Sequence, residues 1–286
     1  KPPQYASSQL LVHRNFPYGR GHSNLGFIIM KLYLYSGAGN SFVVIDARKP
    51  LEVDIQGLCS RFGTDGLMML FDDAELDFRM EYYNSDGSGG MMCGNGGRCI
   101  VAFADFLGIL PANHAFYRFS APDGVHEGQI LSSCGQAKTV KLKMCDVHEF
   151  GPSIEGGYFL DTGTRHFVKF VEDVEKVDVA LEGKRLRWNE AFAPIGANVN
   201  FVQTLDPSTI KVRTFEKGVE AETLACGTGV TASAIASYIS GATGKQVRVF
   251  TREDELAVSF TPNAETFTNV YLTGPTLLLD VVEELL

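Results

Sequence analysis

From residue 30 onward, short runs of apolar residues are broken by glycine-rich turns. Residues 32–35 alternate as a strand does, 36–40 read as a turn, and 42–46 as a second strand. Residues 53–62 suit a short helix closed by Gly63, and 67–71 and 78–83 are further strands. A loop, Asn84-Ser85-Asp86-Gly87-Ser88-Gly89-Gly90, leads to Met92-Cys93-Gly94-Asn95-Gly96-Gly97-Arg98-Cys99. The apolar run that follows reads as a helix, with Gly108 as its C-terminal stop. Strands are expected near 115–120, 125–130 and 139–144.

The plan then repeats. Residues 157–161, 166–171, 199–203 and 210–214 read as strands. Ala225-Cys226-Gly227-Thr228-Gly229-Val230 opens a second helix that ends at Gly241. Residues 246–250, 255–260, 270–273 and 277–281 complete the strand set. The repeat is one of order: strands, a glycine-rich cysteine turn, a helix, strands. It predicts an α+β fold of two pseudo-symmetric halves. Each is a set of mixed, mostly antiparallel strands wrapped on a central helix, with the active site in the cleft between them. The expected division is 30–147 plus 275–286 for one half and 148–274 for the other. Residues 1–29 show no helical or strand period and read as an extension, disordered or an artefact, with Met30 as a natural start.

Composition narrows the partners. With 286 residues the chain can bury a large core. A net charge of −9 and a pI near 5.2 argue against nucleic acid or an anionic membrane. Six cysteines in a chain of this length read as free thiols in a reducing cytoplasm rather than as a disulfide scaffold.

Two of those thiols carry the chemistry. A helix start presents backbone N–H groups without intrahelical partners and the positive end of the macrodipole. Cys93 and Cys226 are therefore expected to have thiol pKa values below the usual value of about 8.5. The flanking glycines let the backbone wrap an anion, here a carboxylate. Inverting an amino acid's α-carbon needs a base on one face and an acid on the other, and a facing thiolate and thiol supply both. Either motif alone is weak, because most buried cysteines are simply small hydrophobes. Two copies in corresponding places point to a two-base site.

At these residues the chain resembles diaminopimelate epimerase, the pyridoxal-independent family of lysine and peptidoglycan precursor biosynthesis. The matching stretches are Gly39-Asn40-x-Phe42-Val43, Asp65-Gly66-Leu67, Asn84-x-Asp86-Gly87-Ser88, Met92-Cys93-Gly94-Asn95-Gly96, Asn198-Val199-Asn200-Phe201 and Glu222-Thr223-Leu224-Ala225-Cys226-Gly227-Thr228-Gly229. Proline racemase-like relatives usually carry His in place of Asn95, which favours the diaminopimelate branch. The resemblance implies epimerisation of LL-2,6-diaminopimelate to the meso form without cofactor or metal, and a homodimer. It implies Cys93 and Cys226 as the acid/base pair. Backbone amides of Gly94, Asn95, Gly227 and Thr228 would hold the reacting carboxylate, and His166 and Glu216 would approach the amino group. Asn40, Asn84 and Asn198 would contact substrate, the last two toward its far end. Cys59, Cys99, Cys134 and Cys145 read as packing residues and Asp65-Gly66 as a structural turn.

The chain departs from the family pattern near the binding positions. Ser41 replaces Asp, Thr164-Arg165-His166 replaces Asn-Pro-His, and Lys217 replaces the Arg that grips the distal carboxylate. Lysine keeps the charge and loses the two-pronged fork. Arg165 is expected to compensate. The alternatives are a racemase or epimerase of another amino acid, a dithiol redox protein, which no Cys-x-x-Cys motif supports, and a catalytically silent carboxylate binder.

Overall fold

The computed structural model describes residues 29–90 and 93–285. Apart from Ile29, the expected extension lies outside the described residues, as does Met92. The first half of the chain runs β1 (Ile29–Gly37), β2 (Asn40–Asp46), α1 (Ile55–Phe62), β3 (Gly66–Phe71), β4 (Phe78–Asn84), α2 (Gly94–Phe106), β5 (Tyr117–Ala121), β6 (Gly124–Cys134) and β7 (Ala137–Lys143). The second runs β8 (Phe150–Pro152), β9 (Tyr158–Asp161), β10 (Arg165–Phe170), α3 (Val179–Arg187), β11 (Asn198–Asp206), β12 (Thr209–Glu216), β13 (Ala221–Thr223), α4 (Gly227–Ile239), β14 (Gln246–Phe250), β15 (Glu255–Pro262) and β16 (Phe267–Leu285).

The strands curl into two barrels. In the first, β1 through β7 pair in order, β7 pairs with β16, and β16 returns to β1 and closes the ring. In the second, β16 continues through β15, β14, β12, β11, β10, β9 and β8. The chain entering β8 bridges back to β16 at Val147 and Phe267. Most pairs are antiparallel. The parallel ones are β2 with β3, β4 with β5, β10 with β11, and β12 with β14. Each parallel pair needs a crossover, and α1, α2, α3 and α4 supply them in that order. The mixed, mostly antiparallel α/β architecture expected from the sequence is the one that forms.

Helices α2 and α4 are the cores of the barrels. Every residue from Gly94 to Ala104 is buried, and α4 is buried from Gly229 to Ser237. A helix enclosed on all sides must be apolar or satisfy its own polar groups. In α4 the hydroxyls of Thr231, Ser233 and Ser237 do so by bonding back to the carbonyls of Gly227, Gly229 and Ser233 at 2.9, 2.7 and 2.8 Å. Outside the barrels, α1 covers Val43, Ile45 and Leu67, while Phe42 and Val44 of the same β2 face the main core that includes α2. Burial on both faces explains why β2 reads as a continuous apolar run.

Several elements differ from expectation, among them the short strands β8 and β13, which stand where none was expected. The first hairpin turn contracts to Ala38 and Gly39, both at positive φ (51° and 88°), which suits a two-residue connection. Helix α3 stands where no element was expected. Residues 270–273 and 277–281 belong to one strand, because β16 runs through Gly274-Pro275 without turning. Its residues through Thr273 pair with β15, Gly274–Leu277 pair with β7, and the remainder with β1.

Candidate active site

The two cysteines cap the two central helices. Cys93 is the N-cap of α2 and Cys226 the N-cap of α4, both with extended backbone. The helix starts abut. A Cβ built on Gly94 would lie 3.6 Å from the Gly227 Cα, and one built on Gly227 would lie 3.4 Å from the Gly94 Cα. Both would meet the same Leu272 Cδ2 at 3.0 Å. Glycine at these two positions is what lets the backbones approach so closely.

The caps are not equivalent. Cys93 Sγ accepts the Gly96 N–H at 3.2 Å. Cys226 has no such side-chain cap, and its sulfur lies 3.4 Å from Thr228 Oγ1. Both thiols are half-buried and free. The expected lowering of their pKa does not hold. Burial raises the Cys93 thiol, against the pull of the Gly96 N–H and the Arg98 guanidinium, and the Glu216 carboxylate adds to the rise. Burial followed by the Glu216 charge pushes Cys226 up to about 12, against the Thr228 hydroxyl and the Gly229 N–H. Loss of water outweighs the helix-start donors at both sites.

Glu216 ends β12. Burial raises its carboxyl pKa, while the Thr223 hydroxyl donates to Oε2 at 2.9 Å and opposes the rise. Its neighbour Lys217 has an ammonium with no ion pair among the described residues. The Lys217 backbone N–H donates to Asn198 Oδ1 at 2.7 Å. Asn198 in turn donates to the Arg165 carbonyl at 3.0 Å and approaches Thr164 Oγ1 at 3.4 Å. Asn198, Thr164 and Lys217 thus meet at one place. His166 is fully buried on β10, and burial together with the Lys217 charge lowers its pKa to about 3, so it is neutral.

On the α2 side, Asn95 donates to Asn40 Oδ1 at 2.7 Å, joining the start of β2 to the helix start. Arg98, fully buried, donates to the Gly94 carbonyl at 3.1 Å and to Asn95 Oδ1 at 2.9 Å. Asn84 is the exception among the expected site residues. Its side chain donates to Ser88 Oγ at 3.0 Å, within its own turn, and among the described residues no hydrogen bond ties it to the cysteine cluster.

Other expectations need correction. Arg165 does not turn toward the site: its guanidinium donates to the Phe192 carbonyl at 3.0 Å and sits over the Phe159 ring. It shares the face of β10 that carries Phe167, opposite His166, as strand alternation dictates. Cys134 and Cys145 are exposed and do no packing, whereas Cys59 and Cys99 are buried. Asp65 does serve structure, accepting the Ser41 N–H at 2.8 Å.

Arg98, Asn200 and Thr214 were not singled out from the sequence. Arg98 carried a signal: a charge within a run whose other members are glycine or apolar. Thr214 carried none, and Asn200 only its place in the Asn198-Val199-Asn200-Phe201 stretch.

The diaminopimelate epimerase family pattern matches residues 32–138 and 158–279. The chain belongs to the diaminopimelate epimerase family. It is 42% identical over 256 residues to diaminopimelate epimerase of Flavobacterium psychrophilum, covering 86% of this chain and 96% of that one. It is 40% identical over 253 residues to the Chlorobaculum tepidum enzyme, at 84% and 95% coverage. Among solved structures, a phenazine biosynthesis protein of the PhzF family from Bacillus anthracis superposes with a TM-score of 0.70. The identity there is 14%, over 91% of this chain and all of the other, so that likeness speaks for the fold.

Proposed function

We propose that the chain is an isomerase that converts LL-2,6-diaminopimelate to the meso form by a two-base mechanism, in the synthesis of lysine and of peptidoglycan precursors. The observation that carries this reading is the abutment of two cysteine-capped helix starts at Gly94 and Gly227. The first-turn amides of Gly94, Asn95, Gly227 and Thr228 receive the reacting carboxylate and stabilise charge as it builds there. One sulfur, as thiolate, takes the α-proton, and the opposite thiol delivers another to the far face. With both thiols raised by burial, little thiolate exists before substrate arrives, so the bound substrate must favour thiolate formation at one sulfur. Glu216 receives the substrate ammonium, whose positive charge also offsets the carboxylate that opposes thiolate formation. Asn40 holds Asn95, and His166 borders Thr228.

Toward the far end, Asn84, Asn198 and Lys217 read the second amino-acid group, with the Lys217 ammonium meeting its carboxylate as a point charge. The proposed halves remain 30–147 plus 275–286 and 148–274, a division supported by the passage of β16 pairing from β15 to β7 at Gly274. Cytoplasmic location is supported by six free thiols, and among the described residues no helix is long and apolar enough to cross a membrane. The proposal includes a homodimer, on the family resemblance alone.

The test is deuterium incorporation. Reduced enzyme is incubated in D₂O with LL-diaminopimelate and, separately, with free L-amino acids, and label at Cα is read by mass spectrometry. Label in diaminopimelate alone is the expected outcome. Label in another amino acid instead would transfer the chemistry to a different substrate, and no label anywhere would end the proposal.

A further inference from the structure

A buried chain of hydrogen bonds runs from β12 to the Cys226 sulfur, and its polarity is fixed at one end. Thr214 Oγ1 donates to Asn200 Oδ1 at 2.9 Å. Asn200 Nδ2 donates to the Phe167 carbonyl at 3.2 Å and lies 3.0 Å from His166 Nδ1. A carbonyl can only accept, so the nitrogen of the Asn200 amide must face Phe167 and the imidazole. The second proton of that NH₂ group then points at Nδ1, which must accept it. His166 is fully enclosed and neutral, so its one proton resides on Nε2. Nε2 lies 3.0 Å from Thr228 Oγ1 and donates to it. The Thr228 hydroxyl, occupied as an acceptor, has its own proton free for Cys226 Sγ at 3.4 Å.

We propose that Asn200 is a positioning residue of the reaction: it holds His166 as the Nε2–H tautomer and so directs the Thr228 hydroxyl to donate to Cys226. The inference rests on the two-thiol reading above and deepens it. The geometry is built for this chain of contacts. A methyl at Gly229 would collide with Asn200 Oδ1 and come within 3.3 Å of His166 Cε1, so glycine at this position lets α4 pass over the pair. The Thr162 hydroxyl donates to the Thr228 carbonyl at 3.1 Å and fixes the residue from its other side. An O–H donor favours the thiolate over the thiol. Among the described residues no hydroxyl donates to Cys93, whose sulfur is capped by a backbone N–H. Both sulfurs thus have helix-start N–H donors, and Cys226 has the side-chain relay in addition.

Other groups also face Cys226 and set its titration: Glu216 from β12, Cys93 from α2, and the Gly229 N–H from its own helix. Lys217 faces His166. The test separates the relay from these. Full-length enzyme carrying ¹⁵N-labelled histidine is examined by NMR, with His166→Gln assigning the resonance. The wild type should show Nε2 protonated and Nδ1 bare between pH 8 and 5. Asn200→Asp, which can only accept, should protonate Nδ1. A wild-type Nδ1 that carries the proton, or an imidazole titrating near its ordinary value, overturns the inference without any variant.

Alkylation of Cys226 is then followed against pH in a Cys93→Ala background, where the reaction itself is not needed. Thr228→Val keeps the side-chain shape and the backbone N–H. It should raise the midpoint by about one pH unit or more, the scale of one hydrogen bond to a charged acceptor. Thr228→Ser should restore it, and Asn200→Leu should move it upward in part. An unmoved midpoint in Thr228→Val, or failure of Thr228→Ser to restore a moved one, contradicts the relay. Loss of deuterium incorporation with an intact relay would instead count against the function proposed above.

Discussion

Replacing Gly94 and Gly227 by alanine, singly and together, probes the meeting of the two helix starts. A methyl at Gly227 would stand 3.4 Å from the Gly94 Cα, and one at Gly94 would stand 3.6 Å from the Gly227 Cα, with Leu272 Cδ2 at 3.0 Å from either. Carbon atoms pack best at about 3.5–4.0 Å. The leucine tip can swing aside, so each single change displaces the helix starts by only a few tenths of an ångström. Alanine in a helical turn gains up to about 1 kcal/mol over glycine, which offsets that strain. The melting temperature of each single variant should therefore stay within about 5 °C of the parent. Catalysis is less forgiving, since misplacing reacting groups by about 1 Å can cost about 10²-fold. Each single variant should lose about tenfold in kcat/KM. The double variant should lose more than the product of the two, because its methyls meet each other. Epimerisation kinetics beside thermal denaturation make the measurement. A double variant with parental kcat/KM and parental melting temperature would show that the two helix starts do not form one site.

Two further outcomes follow from buried charge. His166 is held neutral with a pKa lowered to about 3, so between that value and its unfolded value near 6.5 the unfolded chain binds the extra proton. Stability should thus fall with pH in this window, by about 2 kcal/mol from pH 7 to pH 5 on this residue's account, and urea unfolding of His166→Gln should lack that part of the slope. Arg98→Met removes a fully buried guanidinium whose Nε has no partner, and it also frees Asn95 Oδ1. Relief of desolvation, worth several kcal/mol, opposes the lost hydrogen bonds at about 1–3 kcal/mol each. The urea midpoint should hold or rise while kcat/KM falls at least tenfold, and a parental kcat/KM would deny the residue any part in the site.

The sequence made the two cysteine-capped helices legible because small residues before an apolar run leave few alternatives. Strands such as β2 and β3 were legible for a related reason, being covered on both faces. Helix α3 was not, because three basic residues crowd its last turn and only one face is buried. Gly274-Pro275 read as a break in β16 because that pair usually marks a turn. Here a Cβ at Gly274 would press on Leu256 and reach 3.1 Å from Arg98 Nε, so this glycine serves close packing. The Asn200–His166 pair was beyond reach for a different reason. Their contact depends on the parallel register that sets Val168 opposite Asn200, and nothing local to either residue encodes that register. The thiol pKa values went the wrong way because a helix start is visible in sequence while the depth of its burial is not.

The two-thiol account is tested most directly by where deuterium appears during early conversion of LL-diaminopimelate in D₂O. If Cys93 and Cys226 divide the work, the proton taken from one face stays on one sulfur while the other delivers a solvent-derived deuteron. The meso product should then carry one deuterium at the inverted carbon from the first turnovers, while recovered substrate remains unlabelled. Product that retains the substrate's own hydrogen, or substrate that gains label as fast as product forms, would mean that a single group serves both faces.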